Sequence, residues 1–179
     1  MDAEPIDDVY VFAKDTAPDL VQRFSLNPVG QVRFLANTTG PFNAFAVVEA
    51  PDLGELPTLL ARVFGGTGGG AASDPETAKP IMVGAERLRR TKPYAIISFV
   101  RILAEPGRAG DVLDATSGLT GYNGSAIVAG DFDVIVEVGA DSEEALFSQL
   151  LNEVHTLPGI RSSTTSLVSG EYFYRGTAT

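Results

Sequence analysis

The chain reads one succession of segments twice, and that repetition limits its folds more than any single motif does. "TGPFNAFAVVEAPD" runs from Thr39 to Asp52 and "AGDFDVIVEVGAD" from Ala129 to Asp141. Each has a glycine, a polar or proline residue, a phenylalanine, an Asx residue, an apolar alternation and an acidic break. Around the second copy, "YAIISFVRIL" (Tyr94 to Leu103) is rich in aromatic and β-branched residues and reads as a strand. "EPGRAGDVLDATSGL" follows as a helix, with Pro106 suited to a first turn and Ala109, Val112, Leu113 and Thr116 near helical spacing. Gly130-Asp131 between two alternating runs predicts a tight hairpin. On its outgoing strand Val134, Val136 and Val138 share one face and Asp133, Ile135 and Glu137 the other.

A helix is expected next. Asp141 and Glu144 have capping-box-like spacing, Leu146, Phe147, Leu150, Leu151, Val154 and Leu157 form an apolar stripe, and Pro158-Gly159 stops it. "IRSSTTSLVSGEYFY" closes the unit as a strand, giving the ferredoxin-like order β-α-β-β-α-β. The first copy repeats that order: strand "VYVFAK", helix "APDLVQRF", hairpin "QVRFLANTTGPFNAFAVVEA", helix "LGELPTLLARVF" and strand "PIMVGAERL". Pro57 starts or kinks the second of those helices. The sequence therefore predicts an α+β protein of two tandem units, residues 1–90 and 91–179. Helices cover one face of each sheet, and the other face carries apolar side chains that also need burial. Two such sheets packed face to face make a dimeric α+β barrel, here as a pseudo-dimer within one chain.

Composition narrows the function. With 179 residues, 44% hydrophobic and 20% charged, the chain can bury a core; at a net charge of -10 it repels a phosphate backbone. The basic cluster Arg87, Arg89, Arg90 and Lys92 at the repeat junction reads as a solvated connector or as an anion or partner site. Cysteine is absent, so no disulfide and no thiolate metal site exist. The acidic start lacks an apolar h-region and no apolar run approaches the ~20 residues of a membrane span, so a soluble cytoplasmic protein is expected. The glycine-rich stretch from Phe64 to Pro80 lacks the Gly-Lys-Ser/Thr of a phosphate loop and reads as a flexible loop. His155 is the only histidine and reads as a helix-surface residue, with no second imidazole for a relay or a multi-histidine metal site.

From Tyr94 to Val168, four separated motifs carry a resemblance to the effector-binding RAM domain of the Lrp/AsnC family: "EPGRAGDVLDA", "AGDFDVIVEV", "LPGI" and "RSSTTSLV". The first copy resembles a diverged version, with Asn43 where the second has Asp133. Family regulators place a helix-turn-helix before this domain, where this chain has another such unit, so no direct contact with nucleic acid is expected. The resemblance implies a non-catalytic protein that binds an amino acid or related metabolite, without cofactor or metal, as a homo-oligomer of two to four chains. It further implies a site in which Asp133 accepts from the ligand's ammonium, while the amides near Gly130 and Asp131 and the hydroxyls of Ser163 and Thr165 hold its carboxylate. Gly130 and Asp131 equally suit a turn alone, the hydroxyl run can be a polar strand face, and a register slip by one exchanges Ser163 and Thr165 for Ser162 and Thr164. Replacing Asp133 or Asn43 is expected to leave stability unchanged. The alternatives are a dimeric α+β barrel enzyme, monooxygenase-like or haem-using, and a structural or partner-binding protein.

Overall fold

The computed structural model describes residues 7–65, 75–85, 88 and 94–175. The basic cluster Arg87, Arg89, Arg90 and Lys92 and most of the glycine-rich segment lie outside the described residues. The elements follow in the order β1 (Asp8–Ala13), α1 (Leu20–Leu26), β2 (Val32–Thr38), β3 (Ala44–Glu49), α2 (Leu56–Phe64), β4 (Glu76–Val83), β5 (Ile96–Ala104), α3 (Ala109–Thr116), β6 (Tyr122–Ala129), β7 (Val134–Ala140), α4 (Glu143–Gln149) and β8 (Ile160–Tyr174). The order β-α-β-β-α-β thus occurs twice, and the chain is α+β, built from tandem ferredoxin-like units of the dimeric α+β barrel type.

The chain forms two compact units, residues 1–79 with 168–179, and residues 80–167. The repeat boundary at 90/91 separates the two strand-helix orders, whereas compactness cuts the chain inside β4 and β8. The reason is strand length: the 15 residues of β8 pair with β5 over Ile160 to Leu167 and with β2 from Val168 to Tyr174.

In the first unit β3 lies between β1 and β2, all antiparallel, with Glu76 to Ala78 of β4 beyond β1 and the tail of β8 beyond β2. Val9, Val11, Ala13, Leu35, Ala44, Ala46 and Val48 face the helices, where Leu20, Val21 and Phe24 of α1 and Leu59, Leu60, Val63 and Phe64 of α2 close the core. Period-2 strand alternation meeting period-3.6 helix stripes produces this layer. Pro57 sits at the start of α2, where its missing N–H costs nothing, and does not kink it.

The second unit repeats the layer with β8, β5, β7 and β6 in that order. Val100, Ile102, Val134, Val136 and Val138 pack on Val112 and Leu113 of α3 and on Leu146 of α4. Two expectations change here. The N-cap of α4 is Ser142, whose Oγ accepts from the Ala145 amide at 3.1 Å, so the Asp141–Glu144 spacing is not the cap. The apolar stripe also divides: Leu146, Leu150 and Val154, each four residues apart, are buried, while Phe147 and Leu151 are 50% and 61% exposed. One residue is a rotation of about 100° around a helix, which turns that pair off the core face. Leu150–Val154 continues α4 as a π-helical turn.

Candidate functional site

Asp133 and Asn43 occupy equivalent places and perform the same local task. The Asp133 amide donates to the Ile102 carbonyl at 2.9 Å, and Asp133 Oδ2 accepts from the Ala104 amide at 2.8 Å. Each bond ties the β6–β7 hairpin to the end of β5. In the first unit the Asn43 amide donates to Ala13 O at 3.0 Å. The Asn43 side chain then accepts from Thr16 N and Oγ1 at 3.2 and 3.0 Å and donates to Thr16 O at 3.1 Å. Gly130 and Asp131 are exposed in the bend before Phe132.

The register settles the hydroxyl pattern. Ser163 lies opposite Ile102 and Thr165 opposite Val100, both on the helix face and half-buried; Ser162, Thr164 and Ser166 lie on the other face. Because β5 runs between β7 and β8, Ser163 stands two strands from Asp133, about 10 Å at ordinary strand spacing. Ser163 and Thr165 thus stand apart from Asp133, whose carboxylate accepts from the Ala104 amide.

A second set of residues, on the face away from the helices, was not singled out as a site by its motifs. Glu137 is opposite Phe99, and Arg101 is opposite Ile135, so the two charged residues are diagonal neighbours on one face of β5 and β7. Glu137 is 3% exposed and accepts from Asn123 Nδ2 at 2.7 Å, with Asn123 fully buried. The Arg101 guanidinium lies over the Phe132 ring, 5.4 Å from its centroid. Burying a carboxylate costs several kcal/mol unless hydrogen bonds and charges compensate, as the Asn123 bond does here.

The first unit carries other residues on the matching face, with a buried Asp8–Arg33 ion pair. Pairing for pairing, Phe12 and Phe45 stand where the second unit has Arg101 and Ile135, and Tyr10 and Val47 where it has Phe99 and Glu137. Val32 and Leu35 match Tyr122 and Ser125 in the register, so Phe34, opposite Val47, stands where the second unit has Gly124, and Arg33, ion-paired with Asp8 at 3.0 Å, stands where it has Asn123. There the face is an aromatic cluster, with Phe45 centroids 5.0 Å from Phe12 and 6.0 Å from Phe34. Two apolar positions of one repeat, Phe12 and Val47, are thus an arginine and a glutamate in the other. The sequence signal was available: aligning "FNAFAVVE" with "FDVIVEVG" sets Val47 against Glu137.

Ser166 completes the row Glu137, Phe99, Ser166 across three strands. It is fully buried, and its Oγ has no hydrogen-bond partner among the described residues. The buried hydroxyls on the helix side are all satisfied: Ser98 Oγ donates to Val138 O at 3.0 Å, and Thr116 Oγ1 donates to Ser125 Oγ at 2.9 Å. Among the described residues no group of three or more His, Cys, Asp or Glu side chains is placed to hold a metal.

No family model matches the chain, and no curated protein does. Solved structures share its fold over nearly its whole length. The siroheme decarboxylase NirDL is 10% identical, with 95% of this chain and 73% of that chain covered at a TM-score of 0.68. A mutant chlorite dismutase from Candidatus Nitrospira defluvii is 10% identical, with 93% and 92% covered at a TM-score of 0.56. AsnC of E. coli is 22% identical, but only 44% of this chain and 53% of that chain align, at a TM-score of 0.41. The expectation of a non-catalytic protein is overturned, since likenesses over nearly the whole chain include a decarboxylase and a dismutase, whose fold it shares.

Histidine-ligated haem, which the haem-using alternative requires, does not fit these residues. His155 is exposed at the C-cap of the π-helical turn, in the helical layer and so across the sheet from Arg101 and Glu137. Among the described residues no helix is long and apolar enough to cross a membrane.

Proposed function

We propose that the chain is an enzyme of the dimeric α+β barrel class that moves a proton on a small organic substrate held at the polar face of its second unit. The observation that carries this reading is the replacement of Phe12 and Val47 by Arg101 and Glu137 at matching positions of the face away from the helices, with Asn123 bonded to Glu137. Glu137 is the acid–base group. Asn123 donates to one of its carboxylate oxygens at 2.7 Å, and the carboxylate takes the proton of a substrate C–H or O–H. Arg101, held flat on Phe132, stabilises the oxyanion that forms as that proton leaves. A positioned general base of this kind contributes about 10²- to 10⁴-fold in rate. Whole-length likeness to two enzymes supports the class, and the decarboxylation and chlorite chemistry of those proteins remain theirs.

The test is deuterium exchange. With enolisable carbonyl acids such as acetoacetate in heavy water, the protein should speed loss of the α-proton NMR signal, and Glu137→Gln should slow it by about 100-fold or more. Exchange at the buffer rate for every carbonyl acid, or an unchanged rate in Glu137→Gln, would overturn the reading.

A further inference from the structure

Helix α4 and its π-helical turn carry two exposed rows beside the buried one. Leu146, Leu150 and Val154 enter the core, while Glu143, Phe147, Leu151 and His155 form one exposed row and Glu144, Ser148, Asn152 and Thr156 the other. Residues four apart are neighbours on a helix surface, so each row is a continuous ridge. The polar row satisfies itself: Asn152 Nδ2 donates to Ser148 Oγ at 3.2 Å, and Thr156 Oγ1 donates to the Asn152 carbonyl at 2.8 Å. The other row keeps an apolar middle in solvent, with Phe147 50% and Leu151 61% exposed. One exposed apolar side chain is ordinary. Two of them on one ridge, with a carboxylate at its start and an imidazole at its end, make a patterned surface.

We propose that this ridge docks a second copy of the chain, α4 against α4, antiparallel about a twofold axis at Gln149. A twofold contact sets residue i against j and j against i, and the pairs Phe147 with Leu151 and Glu143 with His155 are both centred on Gln149. One register therefore lays Phe147 on the partner's Leu151 and brings Glu143 to the partner's His155. The imidazole donates in either protonation state, and the carboxylate accepts. Antiparallel axes also set the positive end of one helix dipole beside the negative end of the other. A parallel pairing sets carboxylate on carboxylate and like ends together. At a net charge of -10 two copies repel each other at long range, so they hold only where the surfaces complement each other in this way.

The chain has no cysteine, so introduced thiols report the contact without background. In the antiparallel pair Glu143 lies beside the partner's His155, whereas the two copies of either residue are about 18 Å apart along the helices, beyond the reach of a disulfide. Under mild oxidation Glu143→Cys and His155→Cys proteins should each stay single and should link when mixed. Sedimentation equilibrium of the wild-type chain should show monomer and dimer exchanging by mass action, and Phe147→Ser with Leu151→Ser should weaken the dimer by about tenfold or more. Links within either cysteine variant alone, or none in the mixture, overturn the proposal. A dimer that Phe147→Ser with Leu151→Ser leaves at wild-type strength overturns it too, and so does a chain that is monomeric at every concentration, which gives the ridge to a different protein.

Discussion

Asn43→Ala should destabilise the protein more than Asp133→Asn, and both should register in a melting curve. In the native hairpin the Asn43 side chain makes three hydrogen bonds to Thr16, at 3.0 to 3.2 Å, and is half-buried. Each is worth about 0.5–1.5 kcal/mol net, and truncation leaves the Thr16 groups partly desolvated, so a loss of about 2–3 kcal/mol follows. For a chain of this length 1 kcal/mol moves the midpoint by roughly 2–4 °C, which makes the expected drop about 4–12 °C. Asp133→Asn keeps an oxygen to accept from the Ala104 amide at 2.8 Å and loses only the charge assistance. Its cost should stay under about 1 kcal/mol, whereas Asp133→Ala removes the acceptor and should cost about 1.5 kcal/mol. Calorimetry on the three variants checks the order Asn43→Ala, Asp133→Ala, Asp133→Asn. Equal midpoints for wild type and Asn43→Ala would show that the Asx side chain does not close the hairpin, and would return these positions to a role at a ligand.

Ending the chain after Leu167 should unfold the first unit, since it removes Phe173 from that unit's core, the Tyr172 ring stacked on Phe34 and the 2.8 Å Arg175–Glu49 ion pair. Limited proteolysis should then cut within residues 7–65, and an uncut product would refute this. Below the concentration at which the chains associate, Phe147→Ser with Leu151→Ser should leave the unfolding free energy within about 0.5 kcal/mol of wild type, whereas Leu150→Ala should cost about 2–5 kcal/mol. The same exposed pair, with Ile81 and Met82, is expected to hold an assembly of two to four chains; light scattering that gives a monomer at micromolar concentration refutes that. A net charge of -10 predicts no saturable retardation of duplex DNA at physiological salt, and such retardation in a gel would contradict it.

The fold was legible because its signals are local and periodic. Gly-Asp between alternating runs marks a hairpin whatever surrounds it, and Pro57 marks a helix start by its own chemistry. The ends of elements were harder. A strand begins where a partner begins, so β4 starts at Glu76, opposite Phe12, and not at Pro80. Ser142 displaces Asp141 as a cap through a bond to Ala145 that spacing alone cannot rank. The polar face was visible only in part. Alternation put Glu137 with Ile135 on a face in need of burial, but its partners Arg101 and Asn123 come from other strands, and only the register sets them beside it. A family motif drew the eye to Asp133, where the structure has a hairpin bond in both repeats.

The division of β8 has a consequence for the order in which the molecule is made. The second unit is one continuous stretch, residues 80–167, while the first takes its edge strand from residues 168–174, beyond that stretch. On the ribosome, where the N-terminal part normally folds first, the earliest segment to emerge is the one that cannot finish. It waits with the free edge of β2 and the aromatic side chains of Phe34 and Phe45 for a strand still to be translated. The second unit waits for the same strand, residues 160–167, so both sheets are completed by one element near the end of the described chain.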